Sequence, residues 1–134
     1  MPDAGGATVE LVIATPLLGL LLLLVVQFAV WAHAGHIAQA AANQALQSAR
    51  LYNATAGQGE VDAVAFLDQS AGTVLADRSV TVTRTATTVT VTVTGTAATV
   101  VPGVRMPVRA TVTGPVERVV VGAAAPSTVE TAGW

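Results

Sequence analysis

The chain has 134 residues and a formal net charge of −2. Charged side chains make up only 10% of it, and its six basic residues, all arginine, are dispersed. That leaves no basic patch for a nucleic acid or a phosphate, and the absence of cysteine removes disulfides, thiolate nucleophiles and Cys-based metal sites. The length suits one membrane segment and one small extramembrane domain.

Residues 11–32 form an uncharged, mostly apolar stretch with one carboxylate, Glu10, at its leading edge. As a helix it is roughly 33 Å long, enough to cross a hydrocarbon core of roughly 30 Å. Pro16 and Gly19 are expected to interrupt the helix early, ahead of the leucine block at 20–24. Trp31 stands where an interfacial aromatic belt is expected. Ala32-His33-Ala34 also fits the small-x-small pattern of a secretory cleavage site. However, the preceding segment is acidic where a signal peptide is basic, and it is longer than the usual signal core of about 7–15 residues.

The helical period continues to Arg50. His36, Gln39, Asn43, Gln47 and Arg50 make a polar stripe, and Ala34, Ala38, Ala41, Ala45 and Ala49 make a stripe of small residues that lets another element approach closely. His33 and His36 are three apart but have no Asp, Glu or Cys nearby to complete a metal site, so they read as interfacial polar residues.

Gly5 before Gly6, Glu10 fifth from Gly6, and then the run Glu10-Leu-Val-Ile-Ala-Thr-Pro-Leu-Leu-Gly-Leu-Leu resemble the N-terminus of type IV pilin-like proteins. Within that class they resemble most the TadE-like minor pilins, or pseudopilins, of Flp (tight-adherence) pilus systems. The resemblance implies a leader over residues 1–5 and cleavage after Gly5 by a prepilin peptidase. It also implies that Glu10 pairs with the new amine of Gly6, within the chain or on a neighbouring subunit. The implied partners are other pilin or pseudopilin subunits, pilus-assembly membrane proteins and the lipid bilayer, with the C-terminal domain outside the bacterial cytoplasmic membrane. No cofactor is implied. The leader carries no Lys or Arg, unlike the usual basic leader. Read without the resemblance, Glu10 is the polar flank of a membrane helix, since a carboxylate is costly in the bilayer centre and less so near its surface.

Asn53, Gly57 and Gly59 mark a break after the long helix, which is expected over residues 6–52. Asn53-Ala54-Thr55 matches a glycosylation sequon, which in a bacterial protein is coincidental. A short amphipathic helix is expected from Glu60 to about Leu75, with Val64, Leu67, Ala71 and Leu75 on one face and acidic residues in its first turn.

From Ser79 the period becomes two. Residues 79–84 and 88–94 alternate Val and Thr and predict a hairpin turning near Thr85 and Ala86, valines inward. Pro102-Gly103 marks a turn, and residues 104–113 with 116–121 predict a third strand interrupted by Pro107 and Pro115, which suits an edge. The Val/Thr ladders fit a small one-sided sheet; an exposed edge accepting a neighbour's strand is the functional alternative. Arg84, Arg105 and Arg109 are charges that discourage edge pairing.

The expected fold is therefore α+β. A long N-terminal transmembrane helix extends out of the membrane and carries a helix-plus-antiparallel-sheet head over residues 53–121, of about three strands, with a loose tail at 122–134. No Ser/His/Asp set, carboxylate pair, phosphate loop or metal cluster has recognisable spacing, so no catalytic residue is expected. The expected role is structural, in pilus assembly. The alternatives are a membrane-anchored extracytoplasmic scaffold or binding domain, and a small secreted β-rich protein cleaved after Ala34.

Overall fold

The computed structural model describes residues 3–51 and 53–117. Met1, Pro2, the tail at 122–134 and the end of the expected third strand, 118–121, lie outside the described residues.

Helix α1 runs Asp3–Arg50, 48 residues or roughly 72 Å. The expected interruption at Pro16 and Gly19 does not occur, because the helix is continuous through both. A proline deletes one backbone donor, and the turns on either side keep theirs. Thr15 adds a bond from its hydroxyl to the Leu11 carbonyl, 2.8 Å.

The two halves of α1 have different surroundings. From Val9 to Val26 the apolar side chains are all exposed, Leu18 to 67%. From Ala34 onward the helix is the floor of the folded part: Ala34, Ala38, Ala41, Ala42, Ala45 and Ala49 are wholly buried, with Ile37 and Leu46 beside them. The small-residue stripe is thus a contact surface, and the bodies that approach it are α2 and the sheet. The polar residues His36, Gln39, Asn43 and Gln47 face outward.

Helix α2 spans Ala56–Ser70. It begins one turn earlier than expected because Thr55 and Gln58 form a capping box: the Thr55 hydroxyl accepts from the Gln58 N–H, and the Gln58 amide oxygen accepts from the Thr55 N–H. Its first turn therefore holds no acidic residue. Its buried face is Gly59, Ala63 and Leu67; Val64 is exposed, and Leu75 belongs to the first strand. Gly72, at φ +50°, breaks the helical run after Ala71. The guanidinium of Arg78 donates to the Leu67 carbonyl at this C-terminus, 2.8 Å, and lies 3.5 Å from Asp68.

Strands β1 (Leu75–Arg84), β2 (Thr88–Ala97) and β3 (Pro107–Pro115) form an antiparallel sheet in that order. The α+β architecture of long helix, short helix and small antiparallel sheet is the one expected. Register follows the alternation: Val80 and Val82 oppose Val93 and Val91, which oppose Ala110 and Val112 on the core side. Thr81, Thr92 and Thr111 align on the outer side, as do Thr83, Thr90 and Thr113. Cross-strand hydroxyls meet at 3.2 Å for Thr90 and Thr113.

The β1–β2 turn needs neither glycine nor proline. The Thr85 hydroxyl accepts from the Thr87 and Thr88 N–H groups, 3.3 and 3.0 Å. The 101–104 turn closes with the Val104 N–H on the Val101 carbonyl, 3.2 Å, with Gly103 at φ +82°, the geometry that Pro-Gly favours. Pro107 and Pro115 end the third strand where they were expected to interrupt it, and β3 is an edge strand. Strand β1 starts at Leu75, earlier than the alternation, and shifts register between Ala76 and Ser79, where Asp77 has φ +51°.

The second half of α1 lies along β3 and β2, and α2 lies along β1. Trp31 meets the strand's start at Pro107, and Leu46 its end at Gly114. Fifteen helical steps and seven strand steps both measure roughly 23 Å, so helix and strand run side by side in the same direction.

Candidate functional site

Among the described residues, the features that bear on function lie on α1. Gly5 and Gly6 are exposed, and a side chain added at either would meet nothing within 4 Å. Glu10, four residues after Gly6, shares its helix face. It is exposed and has no hydrogen-bond or ion-pair partner among the described residues. No other part of the described chain thus packs against the glycine pair. His33 and His36 are both exposed, and no group of three His, Cys, Asp or Glu side chains comes together among the described residues.

The second feature is the junction between the apolar rod and the folded part, and sequence reasoning missed it. Gln27 sits inside the apolar run yet is only 2% exposed. Its amide nitrogen donates to the Ala98 carbonyl at 3.0 Å, and its oxygen accepts from the N–H groups of Val100, 2.6 Å, and Val101, 3.1 Å. One side chain thereby satisfies three backbone groups of the β2–β3 loop, which the bend after Ala97 leaves without ladder partners. One turn later the Trp31 indole N–H donates to the Pro107 carbonyl, 3.0 Å. Trp31 is therefore half-buried and fastened to the start of β3. Its ring packs on exposed Phe28 with centroids 5.5 Å apart.

Gln27 and Trp31 are four apart and grip the near end of the sheet. Arg50 and Arg84 hold the far end, with Arg50 Nε on the Pro115 carbonyl, 3.0 Å, and Arg84 reaching the Leu51 carbonyl, 3.4 Å. The Ala98 partner is 71 residues from Gln27 in sequence. The only local signal was a lone amide in an otherwise apolar run.

The arrangement can anchor, orient and pack. Helix α1 as a whole is long and apolar enough to cross a membrane by length and composition, and its free surface is the apolar rod from Val9 to Val26. No curated protein and no solved structure matches the chain. A family model does match part of it, ending at Gln47 inside α1, so α2 and the sheet lie beyond the match. Over residues 5–47, the segment that carries Gly5, Gly6 and Glu10, the chain matches the model of the TadE-like protein family.

Proposed function

We propose that this protein is a minor pilin or pseudopilin of a Flp-type pilus system, acting structurally and without catalysis. The observation that carries this reading is the coincidence of the TadE-like segment with a helix of two characters. Its second half is buried by the chain's own sheet, and its first half is an apolar rod that the chain leaves uncovered. Such a rod is suited to lipid before assembly and to neighbouring helices after it.

In this reading the helix anchors the protein once in the bacterial cytoplasmic membrane, with the folded part outside. Prepilin peptidase cuts after Gly5, and Glu10 neutralises the amine of Gly6 in the same or an adjacent subunit. Both glycines are exposed and no other part of the described chain packs against them, which supports access for the peptidase. The bonds from Gln27 and Trp31 to the sheet support retention of the helix, since cleavage after Ala34 would remove both.

The test is expression beside a prepilin peptidase, followed by carbonate extraction and N-terminal sequencing of the membrane fraction. Carbonate-resistant protein beginning at Gly6 is expected. Soluble protein beginning at Gly35 would overturn the anchor.

A further inference from the structure

The clamp at Gln27 has a geometric consequence for the β2–β3 loop. Between Glu10 and Gln27 lie residues 11–26, which as a helix measure roughly 24 Å. That is short of a hydrocarbon core of roughly 30 Å, and residues 27–32 are needed to complete a span. Those residues do not stand alone. Phe28 and Ala29 are exposed, but Gln27 is covered by the loop that its amide holds. If the last turn and a half of the span enters the membrane, the loop enters beside it.

The loop is built for that position. Residues 98–104 contain no charged side chain. The backbone groups nearest the helix are satisfied: the Ala98 carbonyl and the Val100 and Val101 N–H groups by Gln27, the Ala98 N–H by the Val74 carbonyl, 2.8 Å, and the Val104 N–H by the Val101 carbonyl. Pro102 brings no N–H at all. Irregular backbone at membrane depth requires this kind of internal satisfaction. Arg105, a cation that lipid phosphates attract, follows immediately, 76% exposed and 3.5 Å from the exposed carboxylate of Asp77.

We propose that the 98–104 loop is a membrane-contacting element, seated in the headgroup layer of the bilayer beside the outer end of the helix, with Gln27 as the clamp that holds it there. The inference rests on the proposed anchoring of α1. It adds a second point of lipid contact, which fixes the tilt and rotation of the folded part over the membrane.

The test uses full-length protein in vesicles of phosphatidylcholine and phosphatidylglycerol. The chain has no cysteine, so single cysteines can carry an environment-sensitive fluorophore. The positions are Pro102→Cys and Thr99→Cys in the loop, Leu21→Cys in the rod, and Thr87→Cys in the opposite turn, roughly 30 Å away along β2. Quenching is read with lipids carrying a nitroxide near the headgroup or deep in the acyl chain. Both loop labels should be quenched by the shallow nitroxide at least about twofold more than the Thr87 label, as interfacial burial requires, and the Leu21 label by the deep one. If Leu21 is quenched while both loop labels behave like Thr87, the loop proposal is overturned and the anchor stands. An unquenched Leu21 label overturns both.

Discussion

Gly59 of α2 lies against Ala45 of α1 so closely that a Cβ on Gly59 would stand 2.9 Å from the Ala45 carbonyl oxygen and 3.0 Å from the Ala49 Cβ. Both neighbours belong to wholly buried residues of a continuous helix, so the contact cannot open without separating the two helices. Gly59→Ala should therefore destabilise the folded part by about 1–3 kcal/mol, the usual cost of overpacking, despite the better helix propensity of alanine. Gly57→Ala is the control. Its added methyl would meet only the Thr55 hydroxyl, at 3.8 Å, and should leave stability unchanged or raise it by about 0.5–1 kcal/mol. Denaturant unfolding of the two variants in detergent measures the difference, and equal midpoints would refute the close-packing account.

The buried amide of Gln27 invites a second substitution. Gln27→Leu keeps the volume and removes both the donor and the acceptor, leaving the Ala98 carbonyl and the Val100 and Val101 N–H groups without their partner. Each buried group left unpaired costs about 1–3 kcal/mol, so the loop should detach locally before the sheet melts. Hydrogen exchange should accelerate at Val100 and Val101 and stay slow at Val91, whose ladder is untouched. Unchanged exchange at Val100 would mean that the clamp contributes nothing.

How much of this was legible in the sequence depends on how local each cause is. The valine–threonine alternation is a strictly local signal, and it identified the hairpin, its turn and the inward face. The alanine stripe was also legible as a contact surface, and the sheet and α2 fill it. The start of α2 was hidden because Gly57 and Gly59 read as turn formers. Gly57 actually sits inside a helix capped by Thr55 and Gln58, and Gly59 is there to admit Ala45. Leu75 was drawn into the helical face by its spacing, whereas the positive φ of Gly72 ends that run and Leu75 opens a strand. Pro16 looked like an interruption because proline rules describe isolated helices, and the flanking turns carry this one through. The Gln27 clamp was invisible because its partners are more than 70 residues away.

Processing offers a third prediction. In the proposed function Gly5 precedes the cut, so a bulky side chain there should hinder the peptidase. Gly5→Leu should block cleavage by a co-expressed prepilin peptidase. The helix should tolerate the substitution, because nothing lies within 4 Å of the new side chain. Mass spectrometry of the membrane fraction should find the uncleaved chain in the variant and a Gly6 N-terminus in the parent. Normal cleavage of Gly5→Leu would remove Gly5 from the processing site.

Glu10 provides the sharpest test of the proposed assembly role. Its carboxylate is exposed at the end of the apolar rod and has no partner among the described residues of its own chain. In the proposed function its partner is the Gly6 amine created by cleavage, on the same or a neighbouring subunit. Glu10→Ala should leave membrane insertion intact or slightly improved, because a carboxylate at the apolar edge carries a transfer cost. The folded part should be unaffected, since the nearest residue that grips it, Gln27, is roughly 25 Å further along the helix. Incorporation into pilus complexes, read by crosslinking alongside membrane fractionation, should fall. Glu10→Gln should fall as far, since it keeps the shape and loses the charge. Full incorporation of both variants would reduce Glu10 to a polar flank of the span, whereas loss in Glu10→Ala alone would assign its role to hydrogen bonding rather than to charge.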